Sequence, residues 1–280
     1  MPVTLEQRED GLTRTSGAEV DLAFRTWGAG PAVVLLHGTS ASHAVWEPVA
    51  AALAQNATVI ALDQRGHGRS DKPASGYTAA DFATDVVTVL DALGIERAIV
   101  GGHSLGGRNA WVCGALHPER VAAALIVDYT PYVEAAVLDD LQLRVAGGYR
   151  GFDSVADIEA YLHARYPLLP PDAVARRAAW GYQRRDDGLW WPLADPGAMD
   201  RLIEGFRTPW DAEFAAVAAP MTHVRGAHSK IVSEASWDAA RRARPGDRWV
   251  LETDADHYVP EENPAVIVAE LERLLGLSAR

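Results

Sequence analysis

Four short runs rich in Val, Leu, Ile and Ala, at residues 32–36, 57–62, 98–100 and 122–127, punctuate the first half of the chain. The first two end directly at His37 and Asp63. Continuous apolar runs of this length read as parallel strands buried on both faces, whose C-terminal ends deliver polar loops. Between them the period changes. Phe82, Val86, Val89, Leu90 and Leu93 recur at helical spacing, with Thr78 placed to cap the start and Gly94 the end. The alternation returns late in the chain, where residues 221–225 and 248–252 read as strands. A last helix begins at Asn263-Pro264 and presents Ile267, Leu271, Leu274 and Leu275 to the core. This order predicts an α/β fold, a mostly parallel doubly wound sheet with helices on both faces.

Residues 132–218 break the rhythm. They predict several short helices around Tyr149-Arg150-Gly151, Pro170-Pro171 and Arg185-Asp186-Asp187-Gly188, with no convincing buried strand. The expected organisation is therefore a core of residues 1–131 and 219–280 carrying an inserted, mainly helical cap. Trp180, Trp190, Trp191 and Trp210 lie in the insert with Tyr161, Tyr166, Tyr182 and Phe206. That is more aromatic surface than a small cap needs internally, so part of it is expected to line a substrate pocket. Trp180, Trp190, Trp191 and Tyr129 are the candidate substrate contacts; the bland alternative is that these rings glue the insert to the sheet.

Composition narrows the function classes. The chain has 280 residues, 48% of them hydrophobic, which suits one domain with an insertion. Its 26 Lys and Arg against 38 Asp and Glu give a net charge of −12, a field that disfavours nucleic acid and anionic membranes as partners. Cys113 is the single cysteine, so neither a disulfide nor a thiolate metal cluster is expected. The first residues lack the apolar segment of a signal peptide, and no run approaches the roughly 20 apolar residues that span a bilayer. A soluble, cytoplasmic protein is expected, with a small-molecule substrate and the option of a homo-oligomer.

The chemistry is concentrated at Gly102-His103-Ser104-Leu105-Gly106, which follows the 98–100 run and precedes a helical stretch over residues 108–116. That context is what a nucleophile elbow requires. A sharp strand-to-helix turn strains the residue at its apex, and the glycines two places to either side avoid backbone clashes. Ser104 is the candidate nucleophile. The N–H of Leu105, at the start of the helix, is one candidate oxyanion donor, and the N–H of Thr39 in the His37-Gly38-Thr39-Ser40 loop is the other. His37, beside Gly38, is expected to brace that loop. His257, after the last expected strand and before the last helix, is the candidate general base, with His67 and His103 as decoys.

Taken together, His37-Gly38, Asp63-Gln64-Arg65-Gly66-His67-Gly68-Arg69-Ser70, the Ser104 elbow and Asp256-His257-Tyr258-Val259-Pro260 resemble the α/β-hydrolase superfamily over nearly the whole chain. The resemblance implies a serine-nucleophile hydrolase that needs no metal or organic cofactor. The sequence departs from the commonest pattern at the acid. The loop after residues 221–225 reads Gly226-Ala227-His228-Ser229-Lys230, with no carboxylate before Glu234. Asp128, in Val127-Asp128-Tyr129-Thr130-Pro131, ends the strand after the nucleophile helix, a position some members use. It is assigned as the residue that orients His257, with Asp254, Asp256 and Glu234 as weaker candidates. Asp63 and the run to Ser70 are expected to form a rigid loop, and Cys113 a core position.

The leading expectation is hydrolysis of an ester or lactone of an apolar or aromatic molecule through an acyl-enzyme on Ser104. Two alternatives stand beside it. One is C–C bond hydrolysis of a ring-cleavage diketone, which the same three residues can perform. The other is a ligand-binding homologue without turnover, a reading kept open by the missing later acid. Epoxide hydrolase and haloalkane dehalogenase are disfavoured because those relatives place Asp at the elbow.

Overall fold

The computed structural model describes residues 3–276. Eleven strands are formed: β1 (Thr4–Gln7), β2 (Thr13–Ser16), β3 (Ala23–Trp27), β4 (Ala32–Leu36), β5 (Thr58–Leu62), β6 (Ala98–His103), β7 (Val121–Val127), β8 (Tyr182–Arg184), β9 (Trp190–Pro192), β10 (Met221–Gly226) and β11 (Arg248–Glu252). Nine of them make one sheet in the order β1-β2-β3-β5-β4-β6-β7-β10-β11. From β5 to β11 every pairing is parallel, whereas β1, β2 and β3 join antiparallel at one edge. That antiparallel ribbon carries Thr13 and Thr15 on its buried face. Polar, four-residue strands of this kind leave no apolar run to read.

The pleat divides the core in two. Val34, Leu36, Ile60, Leu62, Val100 and Ile126 point to one face, Val33, Leu35, Val59, Ala61, Leu125 and Val127 to the other. Successive strand side chains face opposite ways, so both faces must be covered. Helices α2 (Ala79–Ala92) and α3 (Leu105–Leu116) cover the first, α1 (Glu47–Leu53) and α11 (Pro264–Leu274) the second. Val33, Val34, Leu35 and Leu36 are each at most 1% exposed, and each contributes about 1.5–3 kcal/mol by leaving water. Helix α2 starts where the sequence signals it. Thr78 and Asp81 form a reciprocal capping box, and Gly94 follows the helix end at φ +66°.

Between β7 and β10 lie α4 (Ala135–Ala146), α5 (Val155–Arg165), α6 (Pro171–Gly181), α7 (Pro196–Glu204) and α8 (Asp211–Ala216). The expected run of short helices is present, but so is an antiparallel hairpin of β8 and β9, which the sequence did not announce. Phe152, Ile158, Leu162, Leu169, Val174 and Ala178 build a small core of the insert's own, while Met199, Leu202, Ile203 and Phe214 join the sheet's core. After the insert come α9 (Glu234–Ala243) and the one-turn α10 (Val259–Glu262), which precedes α11. Among the described residues no helix is long and apolar enough to cross a membrane.

Candidate active site

Ser104 stands between β6 and α3 with φ 52° and ψ −115°, a conformation that L-residues rarely adopt. The turn is steep because neither neighbouring glycine can carry a side chain. A Cβ on Gly102 would lie 2.1 Å from the Gly106 oxygen, and one on Gly106 would lie 2.1 Å from the Leu36 oxygen. The Ser104 N–H donates to the Val127 oxygen at 2.8 Å, which pins the apex to β7. The helix itself begins at Leu105, three residues before the stretch read from sequence, because Gly106 and Gly107 are held helical by β4 and β7.

At the end of β7, Asp128 also has positive φ, 50°, and is wholly buried. Its Oδ2 accepts from His257 Nδ1 at 2.6 Å. The same oxygen accepts from the Ser229 hydroxyl at 2.5 Å, and Oδ1 accepts from the Gly226 N–H at 3.0 Å. A carboxylate so surrounded by donors is held in one orientation without solvent. Gly226 ends β10 and Ser229 lies in the loop after it, where the commoner pattern has its acid. The strand end and its loop thus supply donors in place of the carboxylate. With Nδ1 engaged, Nε2 is the His257 nitrogen left for proton exchange. Asp256 accepts from the His257 N–H at 2.8 Å and so cannot replace Asp128 at the ring, and Asp254 stands in an exposed turn. Glu234 opens helix α9.

His103, read as a decoy, has a defined task. Its Nε2 donates to the His257 carbonyl at 2.8 Å, and its ring lies 4.5 Å from the His257 ring. Burial, reinforced by His257 and Arg177, holds its pKa well below the ordinary value, so it is neutral. It thereby ties the elbow to the segment carrying His257.

The loop after β4 is braced as expected. The Gln64 N–H donates to His37 Nε2 at 3.1 Å, and the Gln64 side chain donates to the His37 carbonyl at 2.6 Å. Burial lowers the His37 pKa to about 4. Asn109, in α3, donates to Gln64 Oε1 at 2.7 Å and completes the strap. Sequence reading passed over Gln64 and Asn109; amides carry no motif, and only their contacts identify them. Neither the Thr39 nor the Leu105 N–H is taken by a turn, loop or cap carbonyl among the described residues. Asp63 is structural: its Oδ1 accepts from the His43 N–H at 2.7 Å and its Oδ2 from the Arg69 N–H at 2.9 Å. Cys113 is buried in α3, its thiol pKa pushed up to about 12 by desolvation.

Two concave regions adjoin this centre. A cavity of about 220 Å³ is lined by Ser40 to Ser42 on one side and by Tyr149, Tyr161, Tyr166 and Arg177 of the insert on the other. A groove of about 530 Å³ contains His257, Tyr258, Arg144, Arg165, Tyr166 and Lys230. Tyrosines, not tryptophans, supply the aromatic lining. Trp180 packs edge-on against His43 at 4.7 Å, Trp190 joins the insert's own core, and Trp191 donates to Asp187 at 2.8 Å. None of the three lines the cavity or the groove, and Tyr129 packs against Phe206 at 5.6 Å instead. Among the described residues no three His, Cys, Asp or Glu side chains are grouped as metal ligands.

Comparison with known proteins agrees with this geometry. The alpha/beta hydrolase fold family matches residues 31–264. The chain is 41% identical, over 90% of its length and 91% of the relative's, to 2-(acetamidomethylene)succinate hydrolase of Mesorhizobium japonicum (strain LMG 29417 / CECT 9101 / MAFF 303099). It is 30% identical to an uncharacterized protein of Mycobacterium tuberculosis (strain ATCC 25618 / H37Rv), over 90% of this chain and 77% of that one. A crystal structure of E-2-(acetamidomethylene)succinate hydrolase superposes with a TM-score of 0.92 at 38% identity, covering 95% of this chain and 98% of the other.

Proposed function

The chain belongs to the alpha/beta hydrolase fold family, and from that premise we propose that it is a serine hydrolase cleaving a C–C or amide-type acyl bond in a small, carboxylate-bearing molecule. The observation that carries the chemistry is the 2.6 Å bond from His257 Nδ1 to buried Asp128, on the strand beside the Ser104 elbow. In this reading Ser104 Oγ attacks the carbonyl carbon while His257 Nε2 takes its proton. Asp128 stabilises the imidazolium, and the N–H groups of Thr39 and Leu105 receive the oxyanion. Collapse breaks the bond to the leaving group, which takes the proton back from His257. Water, deprotonated by the same imidazole, then releases the acyl group from Ser104.

Two things support a carboxylate-bearing substrate over the apolar ester or lactone expected from sequence. Arg144, Arg165 and Lys230 line the groove that holds His257, beside Asp140, Asp256 and Glu262. The formal charges of that lining balance, and what supports an anionic substrate is that two guanidinium forks and an ammonium reach the groove as donors for a carboxylate. The relative's name describes a substrate with an acetamide and the two carboxylates of a succinate. It favours the alternative carried from sequence, C–C bond hydrolysis of a ring-cleavage diketone, over the leading ester or lactone reading.

Labelling with a fluorophosphonate, beside Ser104→Ala, tests the nucleophile. Turnover of an acetamidomethylene dicarboxylate, a vinylogous diketone acid and a neutral aryl ester tests the substrate. The expected result is an adduct on Ser104 and turnover of at least one of the two acids in preference to the ester. Preference for the neutral ester would overturn the substrate class, and a folded protein that forms no adduct would favour the ligand-binding reading.

A further inference from the structure

Arg108 lies one helical turn beyond Ser104 and is 1% exposed. Its Nε donates to Asn109 Oδ1 at 3.1 Å. Nη1 and Nη2 are both buried and meet no acceptor among the described residues. The guanidinium is covered by the Phe206 ring at 4.5 Å and the Phe82 ring at 5.7 Å. Two other buried forks are paired: Arg65 grips Asp85 through two bonds of 2.6 Å, and Arg177 grips Glu261. Arg225, also buried, donates from Nε to the Val232 carbonyl at 2.7 Å, and its terminal nitrogens are not among the buried polar atoms left without a partner, as those of Arg108 are.

Desolvation drags the Arg108 pKa down to about 10, with the Tyr129 hydroxyl opposing it, so the side chain still carries its charge at neutral pH. No ion pair forms at it among the described residues, and Tyr129 is the one ionisable group whose field acts on it. An unpaired charge taken out of water is costly, and two aromatic faces return only part of that cost. A water molecule would satisfy hydrogen bonds but leave the charge in place. An anion satisfies both.

We propose that Arg108 is the seat of a buried site for a small monovalent anion, a halide or a formate-sized carboxylate, held by the guanidinium fork beneath the Phe206 ring. The site is separate from the groove at His257 and does not depend on what that groove binds. Its occupant neutralises a charge that the fold otherwise buries uncompensated, so the anion acts as part of the folded structure.

The test is thermal unfolding of the full chain at constant ionic strength, with the bulky anion gluconate replaced stepwise by chloride, bromide or formate. Wild type should gain a few degrees in the small anions, saturably, and Arg108→Met should gain nothing. A crystal grown from bromide should show an anomalous peak in contact with both terminal nitrogens. Should Arg108→Met fail to fold, Arg108→Lys and the bromide peak decide the matter, since lysine keeps the charge but loses the fork and should weaken the anion dependence. Identical stability in all four anions, an equal gain in the variants, or an ordered water alone at the fork in bromide would each overturn the proposal. A bromide peak without a saturable thermal gain would do the same.

Discussion

Asp128 concentrates what a single residue contributes at this centre. It has positive φ, is wholly buried, and distributes two oxygens among three donors. Asp128→Asn should fold, because an amide fills the same space, yet lower kcat by about three to four orders of magnitude. The cause is specific. An amide NH2 turned toward His257 favours the wrong tautomer, and an amide oxygen there cannot stabilise the imidazolium. Steady-state kinetics of the purified variant, with circular dichroism to verify folding, check this; near wild-type turnover would remove Asp128 from the chemistry. Asp128 was legible because a carboxylate closing a run of Ala, Leu, Ile and Val has few structural reasons to be there. Ser229 was not legible, since its meaning arises only when residues 101 positions apart come within 2.5 Å. The tryptophans illustrate the opposite error. Their abundance in the insert was real, but abundance says nothing of direction, and tyrosines took the places facing the cavity.

At the scale of elements, the parallel strands were readable because burial on both faces forces uninterrupted apolar runs. The β1–β3 ribbon and the β8–β9 hairpin were not, because short strands with polar or isolated aromatic residues are defined by partners rather than by period. The junction of insert and core shows how such elements are held. Arg177 of α6 meets Glu261 of α10, with Nε 2.9 Å from Oε1, and the guanidinium lies between the Tyr166 and Tyr258 rings at 4.7 and 4.9 Å. Both side chains are at most 8% exposed. Removing one partner strands a buried charge, so Arg177→Met should cost about 3–5 kcal/mol. The double variant Arg177→Met, Glu261→Leu should recover much of that loss, because it removes both charges at once. Urea unfolding of the three proteins measures the difference, and equal losses in the single and double variants would show that packing, not charge, dominates this junction.

The whole molecule is anionic, with a net charge of −12. A mean charge, however, says nothing of where cations gather, and Arg144, Arg165 and Lys230 share the groove at His257 only because α4, α5 and the loop after β10 are brought together. The buried histidines set the pH range in which the molecule is stable. Burial lowers the pKa of His37 to about 4 and of His67 to about 3, and holds His103 well below its ordinary value. Unfolded, each would take up a proton near pH 6.5. The unfolded state therefore binds more protons as the pH drops below that value, and stability present at neutral pH is lost on acidification toward pH 4. Each histidine contributes a slope of about 1.4 kcal/mol per pH unit. Glu262 and Asp85, whose pKa values burial raises to about 7 and about 6, act in the opposite sense, so urea midpoints should fall from pH 6.5 downward less steeply than the histidines alone would dictate, with a shallower fall still for His67→Gln. A flat profile between pH 7 and 5 would contradict it.

Ser104 and Asp128 precede the insert, and Gly226, Ser229 and His257 follow it, so every side chain and backbone donor that meets at Asp128 lies outside residues 132–218. The insert, by contrast, supplies Arg144, Arg165 and Tyr149 to the concave surfaces. The gene thereby carries part of the concave lining in one contiguous stretch and all the groups that meet at Asp128 in the two flanking stretches, which also supply Ser40 to Ser42 and Lys230 to that lining. A single recombination event confined to the middle of the gene could exchange one without rewriting the other, and the Arg177–Glu261 contact is the joint that a transplanted insert would have to reproduce.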